Sequence, residues 1–195
     1  MQEVTSTFGL ITRVKAGDQE AFTRLFDKYR RRLAVLLHYK MSDELRIAME
    51  VDDLLQETFL RAFRDIQQFA YRSPGSFLRW LAAIADHVVI DAARTQGRLR
   101  RDGVMLAFRS RSNPAGPEPR DSHTPSRLMA EQQALDGMLA RLNALPSKYR
   151  QVILWAKMEG LSTKEMAERL GRSREATALL LHRALKRFRA LAAKS

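Results

Sequence analysis

The stretch that decides the fold is VDDLLQETFLRAFRDIQQF, residues 51–69. Apolar residues recur in it at the three- and four-residue spacing of one helix face: Val51, Leu54, Leu55, Phe59, Phe63, Ile66 and Phe69. This spacing predicts an amphipathic helix with one buried stripe. The opposite face carries Asp52, Asp53, Gln56 and Glu57. Because the whole chain has a net charge of +12, an acidic face suggests a partner other than nucleic acid.

The composition limits the possible classes of protein. A chain of 195 residues, 45% of them hydrophobic, is long enough for one ordinary domain or two small ones. It has no cysteine, which excludes disulfides and cysteine-ligated metals and fits a reducing compartment. No apolar run approaches the roughly 20 residues of a membrane span, and the N-terminus lacks a signal-peptide pattern. We therefore expect a cytoplasmic protein.

The positive charge is concentrated in the last third of the chain. Residues 127–195 carry 14 basic and 6 acidic side chains, whereas residues 1–101 carry 17 and 13. Such an excess favours a polyanionic partner. A merely solvated surface can have the same composition, so charge alone leaves both interpretations open.

Helical periodicity recurs along the chain, and strand signals are nearly absent. One helix is predicted over residues 18–40, with Asp18 as its N-cap. Another is predicted from residue 77 to about residue 94, with Ser76 as its cap. Asp52 is expected to cap the helix of residues 51–69.

The segment of residues 102–126 is predicted to be a flexible linker, since it holds four of the six prolines. Helices are predicted after it at residues 128–145 and 148–158. We therefore predict an all-α protein with two small helical domains, residues 1–101 and 127–195.

The C-terminal domain has the layout of a helix-turn-helix. Ser162 and Glu165 match a capping box, Gly171 permits a tight turn, and Ser173 can cap a long final helix. In such motifs the second helix lies in the major groove of DNA. A plain helical hairpin with a charged outer face is the alternative. The candidate contacts to duplex DNA are Arg172, Ser173, Arg174, Glu175, Ala178, Leu179, His182, Arg183 and Lys186.

A second candidate nucleic-acid site lies at the break after residue 69. Aromatic side chains beside basic ones suit unstacked, single-stranded bases. The residues gathered there are Phe69, Tyr71, Arg72, Ser73, Phe77 and Trp80. Phe69 and Phe77 also continue apolar stripes, so a core position is the better interpretation for them. Tyr71 and Arg72 fit no stripe and are expected to be exposed.

Three blocks of the sequence resemble extracytoplasmic-function (ECF) sigma factors, a class of bacterial RNA polymerase initiation subunit. The blocks are DDLLQETFLRAF at residues 52–63, GSFLRWLAAIA at residues 75–85 and LPSKYRQVILWAKMEGLSTKEMAERLG at residues 145–171. They stand in the order and spacing of that family. The resemblance implies a protein that binds core polymerase and directs promoter-specific initiation, without catalysis and without a cofactor.

The resemblance also implies which residues meet each partner. The helix bearing DDLLQE would dock on the clamp coiled coil of the polymerase through Asp53, Gln56 and Glu57, with Leu54 and Leu55 beside them. The next loop and helix would open the −10 promoter element and hold unstacked bases. The residues implied there are Phe69, Tyr71, Arg72, Ser73, Trp80, His87, Arg94 and Arg98.

The helix-turn-helix would read the −35 element as duplex and touch the flap of the polymerase. An anti-sigma factor is a further candidate partner. Two departures from the family concern specificity. His87 stands where the family often has Asn, and Ala178-Leu179-Leu180 replaces a run that usually carries Lys and Arg.

Two other classes of protein are alternatives. A helix-turn-helix repressor or response regulator would not need the acidic DDLLQE face and would typically dimerise on paired half-sites. A nucleic-acid-processing enzyme would need a metal-binding cluster. The four histidines, His38, His87, His123 and His182, lie far apart without a ligand pattern, so no metal site is expected.

Overall fold

The computed structural model describes residues 6–101 and 125–192, and over these two ranges the chain is helical without a strand. The helices are α1 (Thr7–Lys15), α2 (Gln19–Lys40), α3 (Asp43–Ala48), α4 (Val51–Asp65), α5 (Ser76–Arg101), α6 (Pro125–Asn143), α7 (Ser147–Ile153), α8 (Thr163–Leu170) and α9 (Arg174–Ala192). A 3₁₀ turn, Ile66–Gln68, follows α4, and a π-helical turn, Leu154–Met158, follows α7. The predicted all-α fold class is confirmed.

The chain packs as two compact units, Met1–Ser122 and His123–Ser195. Residues 102–124, most of the predicted linker, lie outside the described residues. The last two residues of the predicted linker, 125 and 126, already belong to α6, which begins earlier than the periodicity indicated.

In the first unit, α2 is the central helix, and α1, α4 and α5 all pack against it. Its segment Leu33 to Leu37 is buried at every position, which places this half of α2 in the core. The rings of Phe26 and Phe59 lie 4.2 Å apart and join α2 to α4. The predicted N-cap is confirmed, because the Asp18 side chain accepts a hydrogen bond from the Ala21 N–H at 3.0 Å.

Two short helices of the first unit, α1 and α3, were not predicted. The buried residues are Leu10, Ile11 and Val14 on α1 and Leu45 on α3. So few apolar positions do not form a periodic pattern from which a helix can be predicted. Serine side chains cap both helices, so capping was the one sequence signal that could have revealed them.

The start of α4 differs from the prediction. Its N-cap residue is Glu50, which makes no side-chain cap bond. Capping by Asp52 is therefore wrong, because a cap residue must precede the helix and Asp52 lies inside its first turn. The Asp52 carboxylate instead pairs with the Arg30 guanidinium across to α2, at 3.4 Å. This pair is one tie between the two helices.

The second unit confirms the helix-turn-helix layout. The Ser162 N–H donates to the Glu165 carboxylate at 2.7 Å and the Glu165 N–H donates to the Ser162 hydroxyl at 3.3 Å, which completes the capping box. Gly171 ends α8 in the left-handed region, with φ of 61°. The Ala176 N–H donates to the Ser173 hydroxyl at 3.1 Å, so Ser173 caps α9 as predicted.

The Asp18 cap generates a testable pH dependence. The Ala21 N–H and the Arg13 guanidinium hold the pKa of Asp18 below its ordinary value of 3.8. The stabilisation by this charge is therefore complete above pH 3.8 and is lost as pH falls through the lower folded pKa. We expect Asp18→Asn to lower the free energy of unfolding at neutral pH, and the difference from the parent protein to shrink as pH falls below 3.8.

Urea unfolding across this pH range measures the difference, and Asp65→Asn is the matched control. Asp65 is exposed at the end of α4, and within the described residues its side chain forms no ion pair or hydrogen bond. A difference between Asp18→Asn and the parent protein that stays constant with pH would contradict the charged-cap interpretation.

Candidate functional site

The acidic face of α4 has three residues that a partner can reach. Gln56 is exposed, and Asp53 and Glu57 are half-buried at the surface. We call these three residues the docking face. Leu54 and Leu55 are only 2% and 1% exposed. They pack in the core beneath the docking face, so the expectation that they form part of the contact surface is wrong.

The members of the docking face differ in their internal bonds. The Arg61 Nε donates to the Glu57 carboxylate at 2.7 Å, and another nitrogen of Arg61 donates to Asp91 on α5 at 2.8 Å. The bond from Arg61 holds the pKa of Asp91 below its ordinary value. Within the described residues, Asp53 and Gln56 form no ion pair or hydrogen bond through their side chains. Their polar groups are therefore available to a partner without breaking an existing contact.

A pocket of about 390 Å³ lies at the root of α5. It is lined by Gln68, Phe69, Ala70, Arg72, Ser76, Arg79 and Trp80. The rings of Phe69 and Trp80 lie 4.8 Å apart, which fixes the orientation of the half-buried indole. The pocket thus combines a partly exposed aromatic surface with cationic side chains.

The 69–76 loop is shaped by Ser76. Its hydroxyl accepts from the Arg72 and Ser73 N–H groups at 3.4 and 3.5 Å and donates to the Ser73 carbonyl at 2.8 Å. Capping by Ser76 is therefore wrong, because Ser76 is the first residue of α5 and its hydroxyl binds the loop that precedes the helix. Gly75 has φ of 92°, a backbone conformation that residues with a side chain rarely adopt, so this turn favours glycine.

Burial separates the aromatic candidates. Phe69 and Phe77 are 8% and 2% exposed, so the predicted core positions are confirmed. Arg72 is exposed, as predicted. Tyr71 was expected to be exposed but is half-buried, because the Phe8 ring of α1 lies 5.4 Å from its own ring. Phe8 is itself 55% exposed and was missed, since no local pattern links it to Tyr71.

One face of α5 carries the other candidates of the first unit. The positions lie seven, four, three and four residues apart, a spacing that keeps them on one side of a helix. We call them the α5 stripe: Trp80, His87, Asp91, Arg94 and Arg98. His87, Arg94 and Arg98 are exposed. Asp91 would weaken the positive potential of this stripe, and its bond to Arg61 offsets that effect.

The outward face of α9 and its cap are exposed throughout. This face includes every candidate for duplex contact: Arg172, Ser173, Arg174, Glu175, Ala178, Leu179, His182, Arg183 and Lys186. Leu179 is 49% exposed, so its apolar side chain is accessible on this otherwise charged face. The Glu175 carboxylate accepts from its own backbone N–H and from Ser173, and these bonds lower its pKa.

Residues 6–101 and 125–192 contain no group of three or more histidine or carboxylate side chains placed to hold a metal ion. None of the helices described above is long and apolar enough to cross a membrane. His123 lies outside the described residues.

Comparison with known proteins identifies the family. A family model described as ECF sigma factor matches residues 1–193. The ECF RNA polymerase sigma-E factor of Haemophilus influenzae is 29% identical over 168 residues, which cover 86% of this chain and 85% of that relative. The ECF RNA polymerase sigma factor SigE of Mycolicibacterium smegmatis is 32% identical over 145 residues, covering 74% of this chain and 52% of that relative.

A solved structure of CnrH in complex with the cytosolic domain of CnrY is also similar. It is 23% identical, with 95% of this chain and 96% of that chain covered and a TM-score of 0.43. The family match extends over nearly the whole chain. The protein therefore belongs to the ECF sigma factor family, as an RNA polymerase sigma factor that binds core polymerase and directs promoter-specific transcription initiation.

Proposed function

We propose that the two units divide the work of initiation. Residues 1–101 would serve as sigma region 2, which binds core polymerase and opens the −10 element, and residues 127–195 as sigma region 4, which reads the −35 element. Residues 102–126 would link them. The observation that supports this division most directly is the docking face, an acidic surface without internal partners at Asp53 and Gln56 in a basic protein.

The docking face fits a basic protein surface such as the clamp coiled coil of polymerase. Gln56 and Glu57 lie three and four residues after Asp53, so the three side chains project from one side of α4. The leucines beneath them anchor the helix in the core, so the carboxylates are held on a rigid support. Asp53 is the sharper determinant, because Glu57 already shares its charge with Arg61.

The 69–76 loop and the α5 stripe fit the single-stranded −10 element. A base that leaves the stack needs a pocket and an aromatic face, and Trp80 with the pocket at the root of α5 offers both. Arg72, Arg94 and Arg98 are exposed cations suited to the phosphates of the strand. The exposed His87 can donate or accept a hydrogen bond where the family often has Asn.

The α9 face fits the −35 element as duplex DNA. Its exposed arginines and lysine can neutralise phosphates, and Arg can read guanine in the major groove. Leu179 and Ala178 offer apolar contact to thymine methyl groups instead of the hydrogen bonds of charged side chains.

Binding free energy would be sufficient for all of these steps, so we propose a protein that acts without a cofactor and without catalysis of its own. Its place of action would be the cytoplasm, where RNA polymerase works. The support for both statements is membership of a family of transcription initiation factors.

The docking proposal predicts the effect of one charge reversal. Asp53→Arg places a cation against a basic partner surface, and like charges at an interface cost several kcal/mol. We expect association with core polymerase, measured by co-elution and fluorescence anisotropy, to weaken by at least about 100-fold. Circular dichroism should show that the helical content is unchanged.

Asp65→Arg is the matched control, because it makes the same charge change at the far end of the same helix. It should bind core polymerase as the parent protein does. If Asp53→Arg also binds normally, the acidic face has another purpose.

The −35 proposal predicts a role for the apolar Leu179. Replacing a contacted thymine by uracil removes one methyl group, worth about 0.8 kcal/mol, or roughly fourfold in affinity. We expect this loss for the parent protein on duplexes scanned thymine by thymine, and no loss at the same position for Leu179→Ala. Equal losses for both proteins would show that Leu179 does not contact the methyl group.

A further inference from the structure

Helix α1 is bonded to the root of the 69–76 loop through its last residue. The Lys15 ammonium donates to the Gln67 carbonyl at 2.9 Å and to the Phe69 carbonyl at 2.7 Å. The Gln67 amide nitrogen donates in return to the Lys15 carbonyl at 3.0 Å. These three bonds join segments more than fifty residues apart and hold the two helix ends together.

The position of the ammonium explains why a lysine suits this site. The last carbonyls of a helical turn lack intrahelical partners and carry partial negative charge. Gln67 belongs to the 3₁₀ turn, and Phe69 is the residue at which the chain leaves it. An ammonium has three donors, so it can satisfy both carbonyls at once. The carbonyl groups at the end of this turn are therefore hydrogen-bonded, and the start of the 69–76 loop is held in place.

A second contact from α1 reaches the middle of the loop. The Phe8 ring packs beside the Tyr71 ring, next to the exposed Arg72. The helix is itself held firmly, because Leu10, Ile11 and Val14 are buried and the Thr7 hydroxyl is hydrogen-bonded to the Tyr29 hydroxyl at 2.9 Å. The loop is thus held at two points by one well-anchored helix.

We propose that α1 holds the 69–76 loop in the shape that receives an unstacked base, with Lys15 as the positioning residue. The inference rests on the proposed assignment of this loop to the −10 element. Phe69 connects the two, since its carbonyl is bonded to Lys15 and the residue also lines the pocket. A loop ordered before DNA arrives does not lose its conformational entropy on binding, which favours capture of the strand.

The test compares Lys15→Met with the matched variant Arg24→Met. Both remove one positive charge from the first unit, but Arg24 pairs with Glu20 on the surface of α2. Hydrogen exchange of the full chain would report on the amides of residues 69–76. We expect faster exchange there in Lys15→Met only, because the carbonyl clamp is lost.

The second measurement uses reconstituted holoenzyme and a fluorescent single-stranded oligonucleotide. Its sequence is the non-template −10 region of a promoter mapped from transcripts induced by overexpression. Loss of a charged hydrogen-bond donor predicts about tenfold weaker binding for Lys15→Met. Binding to core polymerase should equal that of Arg24→Met. Lys15→Arg, which keeps a cation with several donors, should recover most of the affinity.

Each result decides a separate part of the inference. Unchanged exchange in Lys15→Met overturns the clamp, and faster exchange with unchanged oligonucleotide affinity overturns its positioning role. Arg72→Ala tests the underlying assignment. If Arg72→Ala also leaves the affinity unchanged, the loop does not bind the −10 strand and the functional half of the inference falls, while the exchange data still decide the clamp.

Discussion

Burial of the apolar stripe of α4 against α2 is the constraint on which the rest of the first unit depends. Leu54, Leu55 and Phe59 face inward and fix the rotation of α4 about its axis. Once that rotation is fixed, the docking face must point outward and Arg61 must lie towards α5. The same stripe continues into the 3₁₀ turn and so places the start of the 69–76 loop. One packing interaction thereby orients both proposed binding surfaces of the first unit.

The sequence was sufficient for those features whose cause is local. The long helices follow from apolar spacing, and Asp18, Ser162 and Gly171 act within a few residues of their own position. Features that depend on distant residues were not predictable. The bond from Lys15 to the Phe69 carbonyl and the contact between Phe8 and Tyr71 arise only when α1 folds back on the loop. Nothing in the spacing of either segment indicates the other.

The errors have other origins, because they do not depend on distant residues. Asp52 was taken for a cap because acidic residues favour both the cap and the first turn, and only the backbone separates the two positions. Leu54 and Leu55 were predicted to belong to the docking surface because they are part of the DDLLQE motif. Their spacing places them on the buried apolar stripe of the helix instead. The candidates on α9 raise a different point. Their exposure follows from the helix-turn-helix scaffold, whereas the proposed contact of Leu179 with a thymine methyl group depends on chemistry that the scaffold does not set.

The sharing of Arg61 between Glu57 and Asp91 has a thermodynamic consequence. A cation on a partner that engages Glu57 competes with Arg61 for that carboxylate, which leaves the guanidinium more fully to Asp91. The potential along the α5 stripe would then become more positive, and an anionic strand would bind there more strongly. Because such coupling is reciprocal, a strand bound to α5 would raise the affinity of that partner for α4 by the same factor. A single guanidinium can in this way couple the binding of two ligands.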